Sequence, residues 1–254
     1  MRDLRQLLDE WPYDPEKDAR IIEGDDGRQI LQVRTLLGVE QYELEGRPDG
    51  VRPHGMETAL DFYARRYEEA ITRGVADKFK LSARECGELF SEGTLYYFRY
   101  IRLFQLKDWA RTIRDTERNL RAFDFVHRHA QREEDRLFLE KWRPYILRVN
   151  ATAQAMLAVE HNQHDIAIRQ ISEAIAKVEG LEEIDDETFR FERERSLVGL
   201  RDLLRQLRKT RPRSETEKLE EQLRHAIETQ EFERAAVLRD RIRALKKGGA
   251  ESQA

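Results

Sequence analysis

The sequence predicts a mainly α-helical protein: an irregular or repeat-like helical bundle with a small N-terminal antiparallel β unit and a C-terminal antiparallel helical hairpin. Three observations predict it. Most tight-turn signals fall within the first 55 of the 254 residues. From Gly55 onward, apolar residues recur at the three- and four-residue spacing of a helix. Near the end, two apolar stripes of similar length flank one short turn, the pattern of two antiparallel helices.

Residues 1–55 form the β-containing unit. "WPYDP" (11–15) reads as an extended lead-in. Asp26-Gly27 lies between "RII" and "QILQV", a two-strand signature in which glycine supplies the turn. Another strand is expected over Val39 to Leu44, ending at "EGRPDG", where Pro48-Asp49-Gly50 makes a turn. Two or three strands follow from this.

Residues 56–209 form a helical body. Leu60, Tyr63, Tyr67 and Ile71 make one stripe that stops at Gly74. Ser82 followed by Glu85 is a capping box. Helix breaks are expected near Lys107-Asp108, His127 to His129, Asn162-Gln163 and Gly180 to Asp186, with Asp185 or Asp186 capping the helix that follows. "KTRPRS" (209–214), with Pro212 and no apolar residue, places a linker at 210–215. Residues 103–120 and 156–175 both read as helix, polar turn, helix. Around the second, Ala151, Ala155 and Ala158 face Ala167, Ile171 and Ala174, small enough for close helix packing. This segment resembles a tetratricopeptide repeat. The first copy departs from the pattern at Thr112, Thr116 and Asn119, and the two copies stand 55 residues apart instead of the usual period.

Composition narrows the functional classes. Charged residues make up 38% of the chain and hydrophobic residues 39%, a balance that favours a soluble, helical protein. The single Cys86 excludes an intramolecular disulfide. The start, "MRDLRQLLDEWPYDP", has no apolar signal core, and no apolar run approaches a membrane span. A cytoplasmic protein without membrane contact is expected. Residues 190–247 carry 17 bases and 11 acids, which suits nucleic acid electrostatically. Those acids are interleaved at helical spacing, however, as on a solvated helix face. Nucleic acid is therefore the second partner class.

Candidate chemistry is sparse. The loop 45–55 gathers Arg47, Asp49, Arg52 and His54, residue types that suit an anion site or an acid–base pair. Read plainly, it is a rigid surface connection set by Pro48, Gly50, Pro53 and Gly55. His161, His164 and Asp165 share a face, but they fall at a predicted turn and no second cluster supplies further ligands. Tyr96, Tyr97, Phe98 and Tyr100 form an aromatic cluster, more simply read as core than as a platform for bases. No P-loop, dinucleotide fingerprint, HExxH or Cys/His framework occurs. No metal, cofactor or catalytic residue is expected.

Residues 216–247, "TEKLEEQLRHAIETQEFERAAVLRDRIRALKK", form the C-terminal hairpin, with a disordered tail expected at 248–254. Thr216, Leu219, Leu223 and Ala226 line its first helix. Phe232, Ala235, Leu238, Ile242 and Leu245 line the second, with Phe232 plugging the turn end. The stretch resembles the UVR motif, the C-terminal hairpin of the B and C subunits of the bacterial excinuclease. That motif recurs in the activator of the bacterial protein arginine kinase and in some Clp-type unfoldases. The resemblance rests on Leu219 and Leu223, Ala226, the block Glu231-Phe232-Glu233-x-Ala235-Ala236, Leu238-Arg239-Asp240, and Ile242 with Leu245. It implies protein–protein contact, and it carries none of the excinuclease's helicase or nuclease machinery. Ala236, Val237, Asp240 and Arg243, off the stripe, are the expected partner-binding positions. The sequence thus points first to an adaptor or regulatory subunit that binds a protein, or its own second copy, through 216–247. An accessory factor in DNA repair that contacts DNA through the basic end comes second. An enzyme centred on the 45–55 loop comes third.

Overall fold

A computed structural model describes residues 4–212 and 215–251, with side chains placed at 4–212 and 218–243. The chain divides into two compact units, Met1–Leu207 and Arg208–Ala254. Helix accounts for 68%, as the nearly continuous stripes after Gly55 require. No helix among the described residues is long and apolar enough to cross a membrane.

After a short helix α1 (Arg5–Glu10), strands β1 (Ala19–Glu23), β2 (Gln29–Arg34) and β3 (Val39–Glu43) form an antiparallel meander in the order β1-β2-β3. Gly27 takes the left-handed conformation, φ 76°, at the first turn. Side chains alternate across a strand. Leu31 and Val33 therefore face Tyr42, Leu44 and the helical residue Leu103. On the other face, Gln32 is bridged to Arg20 and Gln41, and the Arg34 guanidinium donates to the Trp11 carbonyl at 2.7 Å. The "WPYDP" lead-in is tied to the sheet this way.

The body contains α2 (Ala59–Thr72), α3 (Ala83–Gln105), α4 (Trp109–His129), α5 (Glu133–Phe138), α6 (Arg143–Glu160), α7 (His164–Glu179) and α8 (Glu187–Thr210). Ser82 and Glu85 form the capping box of α3, and Asp186 accepts from the Phe189 amide at 3.1 Å to cap α8. The stripe of α2 outruns its cover: Leu60 and Tyr63 are buried, but Ile71 is 52% exposed. The break expected near His127 to His129 falls directly after His129, where α4 ends. Helix α4 continues through His129, whose ring packs among Tyr67, Phe79 and Phe125 at 4.2 to 5.3 Å between centroids. The chain leaves the helix at Ala130, where an isolated parallel bridge joins it to Leu81.

Four helix ends close in one way. After α2, α3 and α6, residues Gly74, Lys107 and Asn162 turn left-handed, at φ 59° to 68°. Each turn sends two backbone amides to carbonyls of the final turn, as in Lys107 to Phe104 at 3.0 Å and Asp108 to Leu103 at 2.9 Å. The fourth such end lies in the C-terminal unit, at Gln230.

One core cluster joins α2, α3, α4 and α6 through Leu60, Tyr63, Leu89, Phe123, Val126 and Ile146. Another joins α6, α7 and α8. There Ala151, Ala155 and Ala158 meet Ala167, Ile171 and Ala174, with Leu200 and Leu207 closing the third side. Between the segments 103–120 and 156–175 stand α5 and a 3-10 turn (Glu140–Trp142), which accounts for their wide spacing. Thr116 and Asn119 are buried polar contacts. The Asn150 amide donates to Thr116 Oγ1 at 2.9 Å, and the Asn119 amide donates to the Gly93 carbonyl at 2.9 Å.

Two ion pairs cross between α3 and α4 inside this core. Arg99 donates twice to Asp115, both at 2.7 Å, and Arg118 pairs with Glu92. All four side chains are buried. Arg99 also donates to the carbonyls of Glu43 and Gly46, at 2.7 and 2.9 Å, so the strand end is fastened to α3. Glu92 accepts from the amides of Ala59 and Leu60, at 2.7 and 3.2 Å, and so holds the start of α2. Tyr96 lies between them, its ring 4.9 Å from the Arg99 guanidinium and 4.3 Å from that of Arg118. Burial pushes the Arg118 guanidinium down to about 9, which leaves it charged at neutral pH. Removing one partner of such a pair costs about 3–5 kcal/mol, because the other charge stays buried. Asp115→Asn and Arg99→Met should each lower body stability by that amount in urea unfolding. The double variant Arg99→Met/Asp115→Leu should recover only part of the loss, since the Glu43 and Gly46 carbonyls remain without their donor.

Candidate docking hairpin and the 45–55 loop

The C-terminal unit consists of α9 (Glu215–Glu228) and α10 (Phe232–Glu251). The turn between them is built by sequence-local hydrogen bonds. Gln230, at φ 60°, donates to the Ile227 carbonyl at 3.1 Å, and Glu231 donates to the Ala226 carbonyl at 2.8 Å. The Thr229 hydroxyl donates to the His225 carbonyl at 2.9 Å. This closure reverses the chain within three residues and sets the two stripes facing.

Leu219 and Ala226 on α9 meet Ala235, Leu238 and Ile242 on α10, all buried, with Leu223 partly buried against them. Thr216 and Leu245 lie outside the residues whose side chains are described. The first four positions of the expected tail, 248–251, belong to α10, and residues 252–254 lie outside the described residues.

Phe232 departs from its expected place in this core: it is 68% exposed. The reason is angular. Each residue turns a helix by about 100°. Two successive three-residue steps, from 232 to 235 to 238, therefore each fall about 60° short of a full turn. Residues 235, 238 and 242 set the seam, and Phe232 is left on its flank. By the same geometry Ala236 and Arg243 share that flank, whereas Val237, also 68% exposed, lies on the other. On α9, Ile227 is 54% exposed. It was not among the expected partner-binding residues, although its position one step past Ala226 marks it as a flank residue. Asp240 is exposed between Arg239, at 3.2 Å, and Arg243, at 4.0 Å.

The 45–55 loop turns where expected. Gly50, φ 68°, donates its amide to the Arg47 carbonyl at 2.9 Å, and the Pro48 carbonyl accepts from the Glu43 amide. Arg47, Asp49 and Arg52 line one open recess, and His54 is not among its walls. Arg47 points toward Asp49 at 3.0 Å and Glu92 at 3.7 Å. His54 stacks on Phe62 at 4.0 Å and meets Glu88 at 2.8 Å through Nε2. Arg52 is exposed. The arrangement fastens the loop to α3 through Arg47 and His54.

His161 and His164 sit at the α6–α7 turn. Among the described residues, no group of three or more His, Cys, Asp or Glu side chains is placed to hold a metal ion. The residues that the sequence reading missed are Glu92, Arg99, Asp115 and Arg118. Glu92 and Arg99 occupy the same three-four stripe of α3 as Leu89, Tyr96 and Leu103, and Asp115 and Arg118 lie on α4.

In comparison with known families, the model of the UvrB/uvrC motif matches residues 213–248, so this chain contains a UVR motif. No curated protein and no solved structure matches the chain. The geometry separates two substitutions. Leu238→Ala removes a buried side chain, worth about 2–5 kcal/mol, and should abolish amide-exchange protection over 218–243. Phe232→Ala changes an exposed position, where effects stay within about 0.5 kcal/mol, and should leave that protection in place. Hydrogen exchange on the full chain reads both.

Proposed function

We propose that this chain is a non-enzymatic adaptor or regulatory subunit that binds another protein, or its own second copy, through residues 216–247. One observation carries the reading. The described hairpin buries six apolar side chains, one of them only partly, and leaves Ile227, Phe232 and Val237 on its flanks. A unit with so small a core gains most from a partner that covers its flanks. The UVR match over the same residues supports this, since that motif mediates protein contact.

DNA contact through the basic end is the second reading. It has less support, because many of those cations already face carboxylates: Arg193 and Glu183, Arg201 and Glu179, Arg234 and Glu231, Arg239 and Asp240. Steeply salt-dependent DNA binding would reverse the order. An enzyme centred on the 45–55 loop has the least support, because Arg47 and Asp49 pair with each other and His54 with Glu88.

Val237→Glu and Phe232→Glu should keep the helical circular dichroism of the parent while weakening capture of the partner, or self-association by sedimentation. A chain ending before residue 214 should lose that association altogether. If both variants associate normally while residues 216–247 are still required, the contact lies elsewhere on the hairpin, with Ile227 and Asp240 the next positions to substitute. If deletion changes nothing, the adaptor reading fails.

A further inference from the structure

A second site is built into the body, independently of the hairpin. A cavity of about 410 Å³ opens between α3, α4, the α5 segment, α6 and α8. That volume falls within the range of small-ligand pockets, about 300–1,000 Å³. Its walls are largely aromatic. Phe90 and Phe138 stack at 4.6 Å, and Tyr97 meets Tyr100 and Tyr145 edge-on at 5.6 and 6.1 Å. Tyr97, Phe138 and Trp142 are exposed at its rim, and Tyr100 is buried beneath.

Glu192 of α8 also lines this space. It is 6% exposed, and its Oε2 has no hydrogen-bond partner in the protein. The Arg195 guanidinium reaches only its other oxygen, from 3.7 Å, beyond hydrogen-bond length, and is itself largely solvated. A buried carboxylate oxygen without a donor is costly. The Glu192 carboxylate, with no hydrogen-bond donor of its own, thus belongs to a residue that lines an aromatic cavity with room for one.

We infer that this cavity binds an organic cation, an ammonium or guanidinium on an apolar stem. Such a group suits the aromatic walls and Glu192 together, while Arg195, which also lines the cavity, is itself largely solvated. Ring faces attract a cation, the Glu192 carboxylate accepts its N–H, and the apolar stem fills the remaining space. A neutral ligand lacking a donor leaves the carboxylate unpaired, and an anion meets both Glu192 and the negative ring faces. The rim already accepts a cation from this chain, since Lys141 Nζ lies 4.6 Å from the Phe138 ring centre and 5.9 Å from that of Trp142. The cation has two sources: a free amine, or a lysine or arginine side chain on a peptide.

Titration calorimetry on the full chain tests this with phenethylamine, 2-phenylethanol, phenylacetate and Nα-acetyl-lysine amide. Phenethylamine or the lysine amide should bind, and whichever does so identifies the source. Phenethylamine should exceed the matched alcohol about tenfold or more, as expected for a charge-assisted bond. Glu192→Gln should remove that advantage, and Trp142→Ala should weaken both cations. Equal affinity for amine and alcohol, tighter binding of phenylacetate, no binding by either cation, or an unchanged amine affinity in Glu192→Gln would each overturn the inference. The amine–alcohol comparison uses the parent protein, so it stands even if a variant fails to fold.

Discussion

The body depends on one constraint: four charges buried between α3 and α4 must meet their partners. Arg99 with Asp115 and Arg118 with Glu92 fix those helices in a single register, because sliding either helix strands two guanidinium groups and two carboxylates in the core. The same four residues reach outward. Arg99 holds the end of β3 and its following loop through two carbonyls, and Glu92 holds the first amides of α2. Apolar packing alone would tolerate several registers. A buried ionic pair is poor evidence for stability, but at the junction of sheet, α2, α3 and α4 it selects one arrangement among many compact ones.

Much of this was legible in the sequence wherever one residue type has one physical meaning. Asp26-Gly27, Ser82 with Glu85, and Asp186 produced the turn and caps that their chemistry dictates. The change from period two to a helical period located the sheet before residue 50 and α2 onward after it, but it missed the short α1. Legibility failed where meaning depends on a neighbour far along the chain. Glu92 and Arg99 read as surface charges until α4 is placed against them. His129 marks the helix end in the sequence, but its packing among Tyr67, Phe79 and Phe125 is not legible there. Phe232 reads as core by residue type, yet helical angle places it on the flank. The angle was computable beforehand; the preference for an aromatic in the core obscured it.

The two units use apolar surface differently. In the body, aromatic and aliphatic side chains from six or more elements interlock, and the apolar surface that remains open borders a recess with one unmet carboxylate oxygen. In the hairpin, the seam is narrow and the flanks carry isolated large side chains among charges. The first pattern suits a compact ligand that fits between fixed walls. The second suits an extended protein surface that completes a partial core.

The repeated left-handed turns at Gly74, Lys107, Asn162 and Gln230 bear on how this chain can change length. Each turn fixes the rotational phase of the following element, because its two amide bonds leave the backbone no slack. One inserted residue between α3 and α4 would rotate α4 by about 100° and carry Asp115 and Arg118 off the face that meets α3. Insertions and deletions are therefore barred from those joints by geometry, however exposed they are. The connection at 181–186 has no such left-handed lock, so changes in length are accommodated there at lower cost.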